Sequence, residues 1–254
     1  GDAVERLGGR YVTAEDVGIS VADMQAVAER TSFVSGLPAE GDNAGGDPGP
    51  FTAFGIFLGI QAAAKFKLGR DSMDGVHVAI QGTGSVGGRL ARLLAKDGAK
   101  LTLADIDADG ANDLASELGA EIVSTDEIMQ VECDVFSPNA LGGVLDDASI
   151  AALRSPIVAG GANNQLARPE HGKLLAQREI LYAPDYVINA GGIISVASEY
   201  FAKTENREVD VAEVRERIAE IPGRLVSIWE EAASSGRTSA EIADARAQEL
   251  IGRG

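Results

Sequence analysis

A glycine-rich turn constrains the fold of this chain more than any other feature of its sequence. Residues 76–87 read VHVAIQGTGSVG, a short apolar strand that runs into the spacing G-x-G-x-x-G and then into a helix. Gly82 permits a tight turn, and Gly84 lets a pyrophosphate approach the backbone. Gly87 lets the helix pack closely against the strand. The segment therefore predicts a phosphate-binding strand–turn–helix unit.

The start of that helix and an aspartate beyond it complete the pattern of a dinucleotide site. Ser85 and Val86 open the helix, so their amides lie at the positive end of its dipole and would face phosphates. Asp105 ends the next apolar run, KLTLAD, at about the 20-residue distance that the pattern requires. A carboxylate there accepts hydrogen bonds from the ribose 2′-hydroxyl of NAD and repels the 2′-phosphate of NADP. Asp107 is a competing candidate, and an adventitious loop with a solvated aspartate is the alternative to the whole site, but the context favours NAD.

Short apolar runs alternate with helical patterns around this turn. The predicted strands are Val76–Ile80, Lys100–Ala104, Glu121–Val123, Val135–Phe136, Ile157–Ala159 and Ile180–Tyr182. Helices are predicted at Val86–Asp97 and Ala108–Leu118. Strand–helix alternation with short loops predicts the α/β class: a doubly wound parallel sheet of the Rossmann type, covered on both faces.

The flanking segments predict helices and one long loop. Before the sheet we expect a short strand at 10–14, a helix at Ser20–Arg30 that Ser20 and Asp23 cap, a loop and candidate hinge at 36–50, and a buried helix at 51–68 that Gly69 ends. After the sheet, apolar residues at three- and four-residue spacing from Val211 to Ala232 predict one helix ended by Gly236. Thr238 and Glu241 predict a capping box for a last helix to about Ile251.

Composition excludes several classes of protein. The net charge of −17, from 39 acidic and 22 basic residues, disfavours binding to nucleic acid and to anionic membrane surfaces. A solubilising acidic surface is the simplest explanation of that charge, and a saline habitat is the alternative. No uninterrupted apolar run approaches the roughly 18 residues of a membrane span, and the first residues lack a signal pattern. One cysteine, Cys133, fits a reducing cytoplasm, and His171 has no metal-ligand pattern around it.

Several sequence blocks extend the interpretation beyond the turn. They are GRYVTAEDVG at 9–18, GDPGPFTAFG at 46–55, ECDVFSPNALG at 132–142, GANNQL at 161–166 and YAPDYVINAGG at 182–192. In this order they resemble the glutamate/leucine/phenylalanine/valine dehydrogenase family, most closely its leucine dehydrogenase branch. The resemblance covers nearly the whole chain and implies an NAD-dependent oxidoreductase that acts on amino acids.

The resemblance also implies roles for individual residues. Asp16 would be the catalytic aspartate, and Asn163 would hold the substrate and the nicotinamide end of the cofactor. Thr52 and Asn189 would contact the nicotinamide, while the backbone from Ser137 to Ala140, including Asn139, would pass along the cofactor ribose. Ala14, Ile193 and Val196 would line the pocket for the substrate side chain.

From the residues alone, each of these assignments has a structural alternative. Asp16 stands between a strand and a helix, where an aspartate is often only a local cap. Asn163 is part of an Asn-Asn pair that could simply shape a turn. Ile193 and Val196 share one helix face and could be core residues. His77 and Cys133 are interpreted as structural residues.

The implied reaction is the oxidative deamination of an L-amino acid to its 2-oxo acid, with release of ammonia. The family uses two lysines that lie upstream of the TAEDVG block, and the six lysines here (Lys65, Lys67, Lys96, Lys100, Lys173 and Lys203) fall in other parts. We therefore expect a partial substrate domain at 1–48, the NAD-binding domain at 49–200 and C-terminal helices at 201–254 that pack back on the first segment. Such a partial chain would bind NAD and turn over poorly.

Substrate preference and assembly follow from the same resemblance. The apolar lining predicts leucine, valine and isoleucine as substrates, whereas Ser195 replaces an expected asparagine and leaves ring-bearing substrates open. A homo-oligomer in the cytoplasm is implied by the family. The rival hypothesis is a Rossmann module that binds NAD without chemistry.

Overall fold

A parallel sheet forms the centre of the larger part of the chain in the computed structural model, which describes residues 1–16, 18–38 and 44–252. Its strands are His77–Gln81 (β1), Lys100–Ala104 (β2), Glu121–Ile122 (β3), Val135–Pro138 (β4), Ile157–Val158 (β5) and Leu181–Tyr182 (β6). The strand order is β3-β2-β1-β4-β5-β6, and every pairing is parallel. The predicted α/β class and the doubly wound parallel sheet are confirmed.

The reversal of strand order lies beside the glycine turn. Strand β1 pairs with β2 on one side and with β4 on the other, so the chain leaves the sheet in opposite directions at this point. The central residues of β1 are fully buried, as expected for a strand that is covered on both faces. In such sheets ligands bind outside the carboxyl ends of the strands, at the place where the order reverses.

Helices make up most of the other regular structure in the described residues. They are Asp2–Arg6 (α1), Val21–Ala28 (α2), Gly49–Leu68 (α3), Ser85–Lys96 (α4), Ala108–Leu118 (α5), Asp147–Ala152 (α6), His171–Gln177 (α7), Asp185–Ile188 (α8), Gly191–Thr204 (α9), Val211–Ile218 (α10), Ile221–Ser235 (α11) and Ser239–Leu250 (α12), with a 3-10 turn at Ile128–Gln130. The predicted capping boxes are present: Ser20 with Asp23 begins α2, and Thr238 with Glu241 begins α12.

The chain divides into two compact units. The first unit combines Gly1–Thr52 with Ala190–Ala219, and the second combines Ala53–Asn189 with Glu220–Gly254. In this grouping α9 and α10 belong with the N-terminal segment, whereas α11 and α12 belong with the sheet; the domain boundaries expected at 48 and 200 stay a prediction. In the second unit the indole of Trp229 on α11 donates to the carbonyl of Tyr182 in β6 (2.9 Å), which ties that helix to the sheet.

Two predicted elements differ from the structure. The strand expected at 10–14 is reduced to one parallel bridge between Thr13 and Val34. The single helix expected from Val211 to Ala232 is two helices, α10 and α11. Pro222 explains the break, since proline removes a helix hydrogen bond from an interior position but suits the first turn of a helix.

Helix α3 has the length and composition of a core helix. Within the described residues it alone is long and apolar enough to cross a membrane by those two criteria, and 44% of its most apolar window is buried inside the structure. Ala53, Ile56, Ile60 and Ala63 are fully buried. The prediction of a helix buried all round was too broad, because residues 65–67 at its end are exposed. Of the loop predicted at 36–50, residues 39–43 lie outside the described residues.

Candidate active site

The three glycines of the turn meet different surroundings. Gly82 has φ +91°, and a Cβ placed on it would lie 2.8 Å from the amide nitrogen of Ala140. A Cβ on Gly87 would overlap the carbonyl oxygen of Gly82, whereas a Cβ on Gly84 would meet no atom within 4 Å. Two glycines are thus required by packing, and the third borders open space. A group as large as a pyrophosphate needs such space next to the backbone.

Helix α4 begins at this open space. Gly84 is its N-cap residue and has no side chain with which to cap it. The first amides of a helix lack partners within the helix and carry the positive end of its dipole. The residues at this position, Ser85 and Val86, are exposed and half-buried, respectively. The arrangement fits the phosphates of a dinucleotide, which sequence analysis assigned to it.

Asp105 lies directly against the turn. Its Oδ2 accepts hydrogen bonds from the amide (2.5 Å) and the hydroxyl (3.1 Å) of Thr83, and its Oδ1 accepts from the amide of Asp107 (2.9 Å). Burial raises the pKa of this carboxyl, but the backbone amides of Thr83 and Asp107 outweigh burial and hold the pKa below its ordinary value. The group is therefore a carboxylate at neutral pH.

Asp107, the other candidate for the ribose contact, caps a helix. It is the N-cap of α5, and its side chain accepts a hydrogen bond from the amide of Gly110 (3.2 Å). An aspartate at this position stabilises a helix without any ligand. Of the two candidates, Asp105 is the one whose carboxylate contacts the glycine turn.

An asparagine joins the ends of two neighbouring strands. The side-chain amide of Asn139, just after β4, donates to the carbonyl and hydroxyl oxygens of Ser137 (2.9 and 3.0 Å). Its Oδ1 accepts from the amide of Gly161, just after β5 (2.9 Å). All polar atoms of this amide group thereby have partners, so the backbone of Asn139 and Ala140 is held beside Gly82.

Two further predicted residues contact each other at the same edge of the sheet. The amide of Asn189 donates to Oδ1 of Asn163 (2.7 Å) and to the carbonyl oxygen of Gly161 (3.1 Å). Asn163 is exposed, and Asn189 is half-buried. The asparagines at 139, 163 and 189 thus form one chain of hydrogen bonds around Gly161.

Gln165, which had no predicted role, holds the backbone of this turn from the buried side. Its side chain is fully buried, and its Nε2 donates to the carbonyl oxygens of Gly160 (2.7 Å) and Ala162 (3.0 Å). Its own amide donates to a carboxylate oxygen of Asp185 (2.8 Å). The available signal was a glutamine that closes the polar GANNQ block directly after a buried strand.

The remaining predicted residues belong to the first unit. Thr52 lies in the first turns of α3, where its hydroxyl donates to the carbonyl of Pro48 (3.2 Å). A Cβ on Gly192, at the start of α9, would overlap that hydroxyl oxygen. The side chain of Thr52 is therefore confined between its own helix and α9.

The predicted substrate-side residues lie on two segments of this unit. Asp16 is exposed, and Ala14 is half-buried beside the bridge of Thr13 with Val34. On α9, Val196 is half-buried and Ile193 is 65% exposed. Such exposure does not fit the alternative that Ile193 is a core residue.

The other candidate groups are structural within the described residues. His77 bonds to the hydroxyl of Thr102 (2.8 Å), and buried His171 accepts from the amide of Arg168 (3.0 Å). Cys133 is buried, and burial raises the pKa of its thiol to about 11. No group of three or more His, Cys, Asp or Glu side chains in the described part of the chain could hold a metal ion.

Comparison with known proteins agrees with this geometry. Residues 103–250 match the Glutamate/Leucine/Phenylalanine/Valine dehydrogenase family. The chain is 43% identical over 252 residues to a leucine dehydrogenase of Thermoactinomyces intermedius, a match that covers 99% of this chain and 67% of the relative. The chain belongs to this family.

Other members support the assignment and the fold. A valine dehydrogenase of Streptomyces virginiae is 39% identical, with 99% of this chain and 69% of the relative covered. The crystal structure of L-tryptophan dehydrogenase from Nostoc punctiforme superposes with a TM-score of 0.83 at 35% identity, over 99% of this chain and 70% of that one. This chain thus spans about two thirds of the length of these relatives. The expected Rossmann-type fold and the expected enzyme class, an amino-acid dehydrogenase, are confirmed.

Proposed function

We propose that this dehydrogenase oxidises a branched-chain L-amino acid to its 2-oxo acid with NAD as the oxidant. The Cα–H bond is cleaved as a hydride that reduces NAD to NADH. Water then replaces the imine nitrogen, so the products are the 2-oxo acid, ammonium, NADH and one proton. The cofactor supplies the hydride acceptor, whereas the chain binds, orients and moves protons.

The contact of Asp105 with the glycine turn is the observation that carries the cofactor proposal. The open space at Gly84 and the first amides of α4 would receive the pyrophosphate. Asp105, ionised beside Thr83, would accept hydrogen bonds from the adenosine ribose and repel a 2′-phosphate. These features support NAD over NADP.

The nicotinamide end would be held by residues from the asparagine chain and from α3. The side chains of Asn163 and Asn189 are joined by a hydrogen bond of 2.7 Å, which fixes the orientation of both before a ligand binds. Thr52, confined by Gly192, would contact the carboxamide. Such fixed positions reduce the entropy that binding must remove. We assign Asp16 the catalytic proton transfer.

The substrate preference rests on the character of the proposed pocket. Ala14, Ile193 and Val196 offer small and medium apolar surface and no cation for a second carboxylate. The relatives include enzymes named leucine, valine and L-tryptophan dehydrogenase. We place this enzyme with the branched-chain group; a ring-bearing substrate, which Ser195 leaves open, is the alternative that the substrate panel tests.

The experiment combines a cofactor titration with a substrate panel. The enzyme, expressed from its complete reading frame, should bind NADH at least tenfold more tightly than NADPH and should use leucine, valine and isoleucine with higher kcat/KM than phenylalanine, tryptophan or glutamate. Asp105→Ala should abolish the preference for NADH. Asp107→Ala, the matched control, should keep it and lose only about 1 kcal/mol of stability from its helix cap.

Contrary outcomes are easily recognised. NADPH preference in the wild type would overturn the role of Asp105, and a glutamate preference would overturn the substrate assignment. Tight NADH binding without turnover of any amino acid would favour a binding module instead of an enzyme.

We further propose a homo-oligomer in the cytoplasm. The lone, buried Cys133 is compatible with a reducing compartment. Light scattering on the purified enzyme should give a mass of several protomers, and a monomer would contradict the proposal.

A further inference from the structure

A glutamate on α9 holds a backbone segment of the first unit. The Oε2 of Glu199 accepts a hydrogen bond from the amide of Gly36 (2.8 Å), and its Oε1 accepts one from the amide of Leu37 (3.4 Å). The side chain is largely buried, and burial raises its pKa although both amides act in the opposite direction. A carboxylate that loses solvent needs such partners, because charged groups are costly to bury alone.

The segment that Glu199 holds is hydrogen-bonded to Thr13, in the extended segment that leads to Asp16. The amide of Ser35 donates to the carbonyl of Thr13 (2.9 Å), and the amide of Thr13 donates to the carbonyl of Phe33 (3.1 Å). Ser35 is fully buried, so this pairing is shielded from water. Movement of Gly36 would therefore be transmitted directly to Thr13.

Gly36 also lies near Glu15, the residue that precedes Asp16. A Cβ placed on Gly36 would lie 3.7 Å from the amide nitrogen of Glu15, and the φ of Gly36 is +80°. Its positive φ is a conformation that side chains other than glycine rarely adopt, and the carboxylate of Glu199 on α9 holds the backbone at this point.

The same segment connects to the start of α3. The amide of Gly46 donates to the carbonyl of Leu37 (2.8 Å), two residues before Pro48, the residue whose carbonyl accepts from Thr52. The backbone that Glu199 holds is thus hydrogen-bonded to two segments. One carries Ala14 and Asp16, and the other leads to Thr52.

We propose that Glu199 is a positioning residue for the substrate side of this enzyme. It acts through Gly36 and Leu37 on the backbone that presents Ala14 and Asp16. The inference rests on the proposed function, since it is that function which gives Asp16 its task. Glu199 follows Ile193 and Val196 at three-residue spacing on α9, so the helix that would line the pocket also anchors the facing segment.

The experiment compares Glu199→Ala and Glu199→Gln with Glu216→Ala, which removes an exposed glutamate from α10 in the same unit. Glu199→Ala should lower kcat for L-leucine about 10- to 100-fold, because a displacement near 1 Å has an effect of that size. Glu199→Gln keeps one acceptor oxygen and should recover part of the loss. Glu216→Ala should behave as the wild type.

Two measurements separate positioning from general destabilisation. The Kd for ADP-ribose, which tests only the dinucleotide site of the second unit, should change less than twofold in every variant. Amide hydrogen exchange at Thr13, Gly36 and Leu37 should accelerate at least tenfold in Glu199→Ala and stay unchanged in Glu216→Ala.

Three results would overturn the positioning role of Glu199, and a fourth would overturn the proposed function as well. An active wild type whose kcat is kept within twofold by Glu199→Ala would overturn the inference alone, as would unchanged exchange at Thr13 and Gly36. A parallel loss of kcat and of ADP-ribose binding would show mere destabilisation and overturn it as well. A wild type that deaminates no amino acid would overturn the proposed function, and the positioning role with it.

Discussion

The Oδ2 of Asp105 lies 2.5 Å from the amide nitrogen of Thr83, in the middle of the glycine turn. The residue predicted to recognise a ribose is therefore also a structural part of the turn that would hold the phosphates. Fixing the carboxylate in this way keeps it ionised and oriented before any ligand arrives. Preorganisation of this kind lowers the cost of binding.

The stability that Asp105 provides should depend on pH. Its pKa in the folded chain lies below the ordinary value of 3.8, so its contribution is complete above that value and is lost as the pH falls through the lower folded pKa. Asp105→Asn should lower the free energy of unfolding at pH 7 by about 1–2 kcal/mol, through the hydrogen bonds to a charged acceptor. Urea denaturation of both proteins checks this, and the difference between them should shrink below pH 3.8. A difference that grew on acidification would have the wrong sign.

Gly84 and Gly87 should respond differently to the same added methyl group. Gly87→Ala forces a Cβ onto the carbonyl oxygen of Gly82 and should cost about 1–3 kcal/mol of stability. Gly84→Ala meets no protein atom, so its stability should stay within about 0.5 kcal/mol of the wild type. Its methyl group would instead occupy the space proposed for the pyrophosphate, and NADH affinity should fall at least tenfold. Thermal unfolding and calorimetric titration of each variant provide the test. Undiminished NADH binding by Gly84→Ala would contradict the assignment of that space.

Gly192→Ala should disturb the nicotinamide end through Thr52. The added Cβ overlaps the threonine hydroxyl oxygen, so the side chain must rotate or the helices must separate. We expect a several-fold higher Kd for NADH and an unchanged Kd for ADP-ribose, which lacks the nicotinamide. Fluorescence titration measures the first and calorimetry the second.

Gly223→Ala is the control for this substitution. Gly223 lies within α11, and a Cβ there would meet nothing within 4 Å. Replacing a helical glycine with alanine should stabilise the chain by about 0.5–1 kcal/mol and leave both affinities unchanged. Equal losses of NADH and ADP-ribose binding in Gly192→Ala would argue against a role for Thr52 at the nicotinamide.

Cys133 should be nearly inert towards thiol reagents in the folded protein. Burial raises its pKa from 9.0 to about 11, and its side chain is 8% exposed. At pH 8 only about one thiol in a thousand would be ionised, and the thiolate is the reactive form. Modification by a maleimide at pH 8 should be at least 100-fold slower than in urea-unfolded chain. Rapid labelling of the folded protein would show that the strand region opens.

Much of the sheet could be predicted because its signals are local. The helix Ala108–Leu118 was predicted to the residue, and the strand at Lys100–Ala104 likewise. The prediction of a single helix across Pro222 was wrong. The apolar spacing continues on both sides of the proline, and it was given more weight than the amide hydrogen that proline lacks. The prediction of a strand at 10–14 was wrong because a strand forms only where a second backbone segment pairs with it. Here the pairing is limited to the bridge between Thr13 and Val34.

The site was only partly accessible from the sequence. The residues proposed for the dinucleotide follow from spacing, since Gly82 and Gly87 lie in one turn and Asp105 follows after one helix and one strand. Gln165 and Glu199 were missed, because each acts on backbone groups that only the folded chain brings close. Glu199 and Gly36 are 163 positions apart in the chain, and no local sequence pattern indicates their hydrogen bond.

The sequence by itself determined the glycine turn, the class of fold and the position of the carboxylate beside the turn, because these depend on short-range geometry within one strand–helix–strand unit. Only the tertiary structure decided which asparagines contact one another, why Gly192 carries no side chain and what the half-buried carboxylate of Glu199 contacts. Those relationships join residues far apart in the chain, and each depends on distances of a few ångströms that no local pattern encodes.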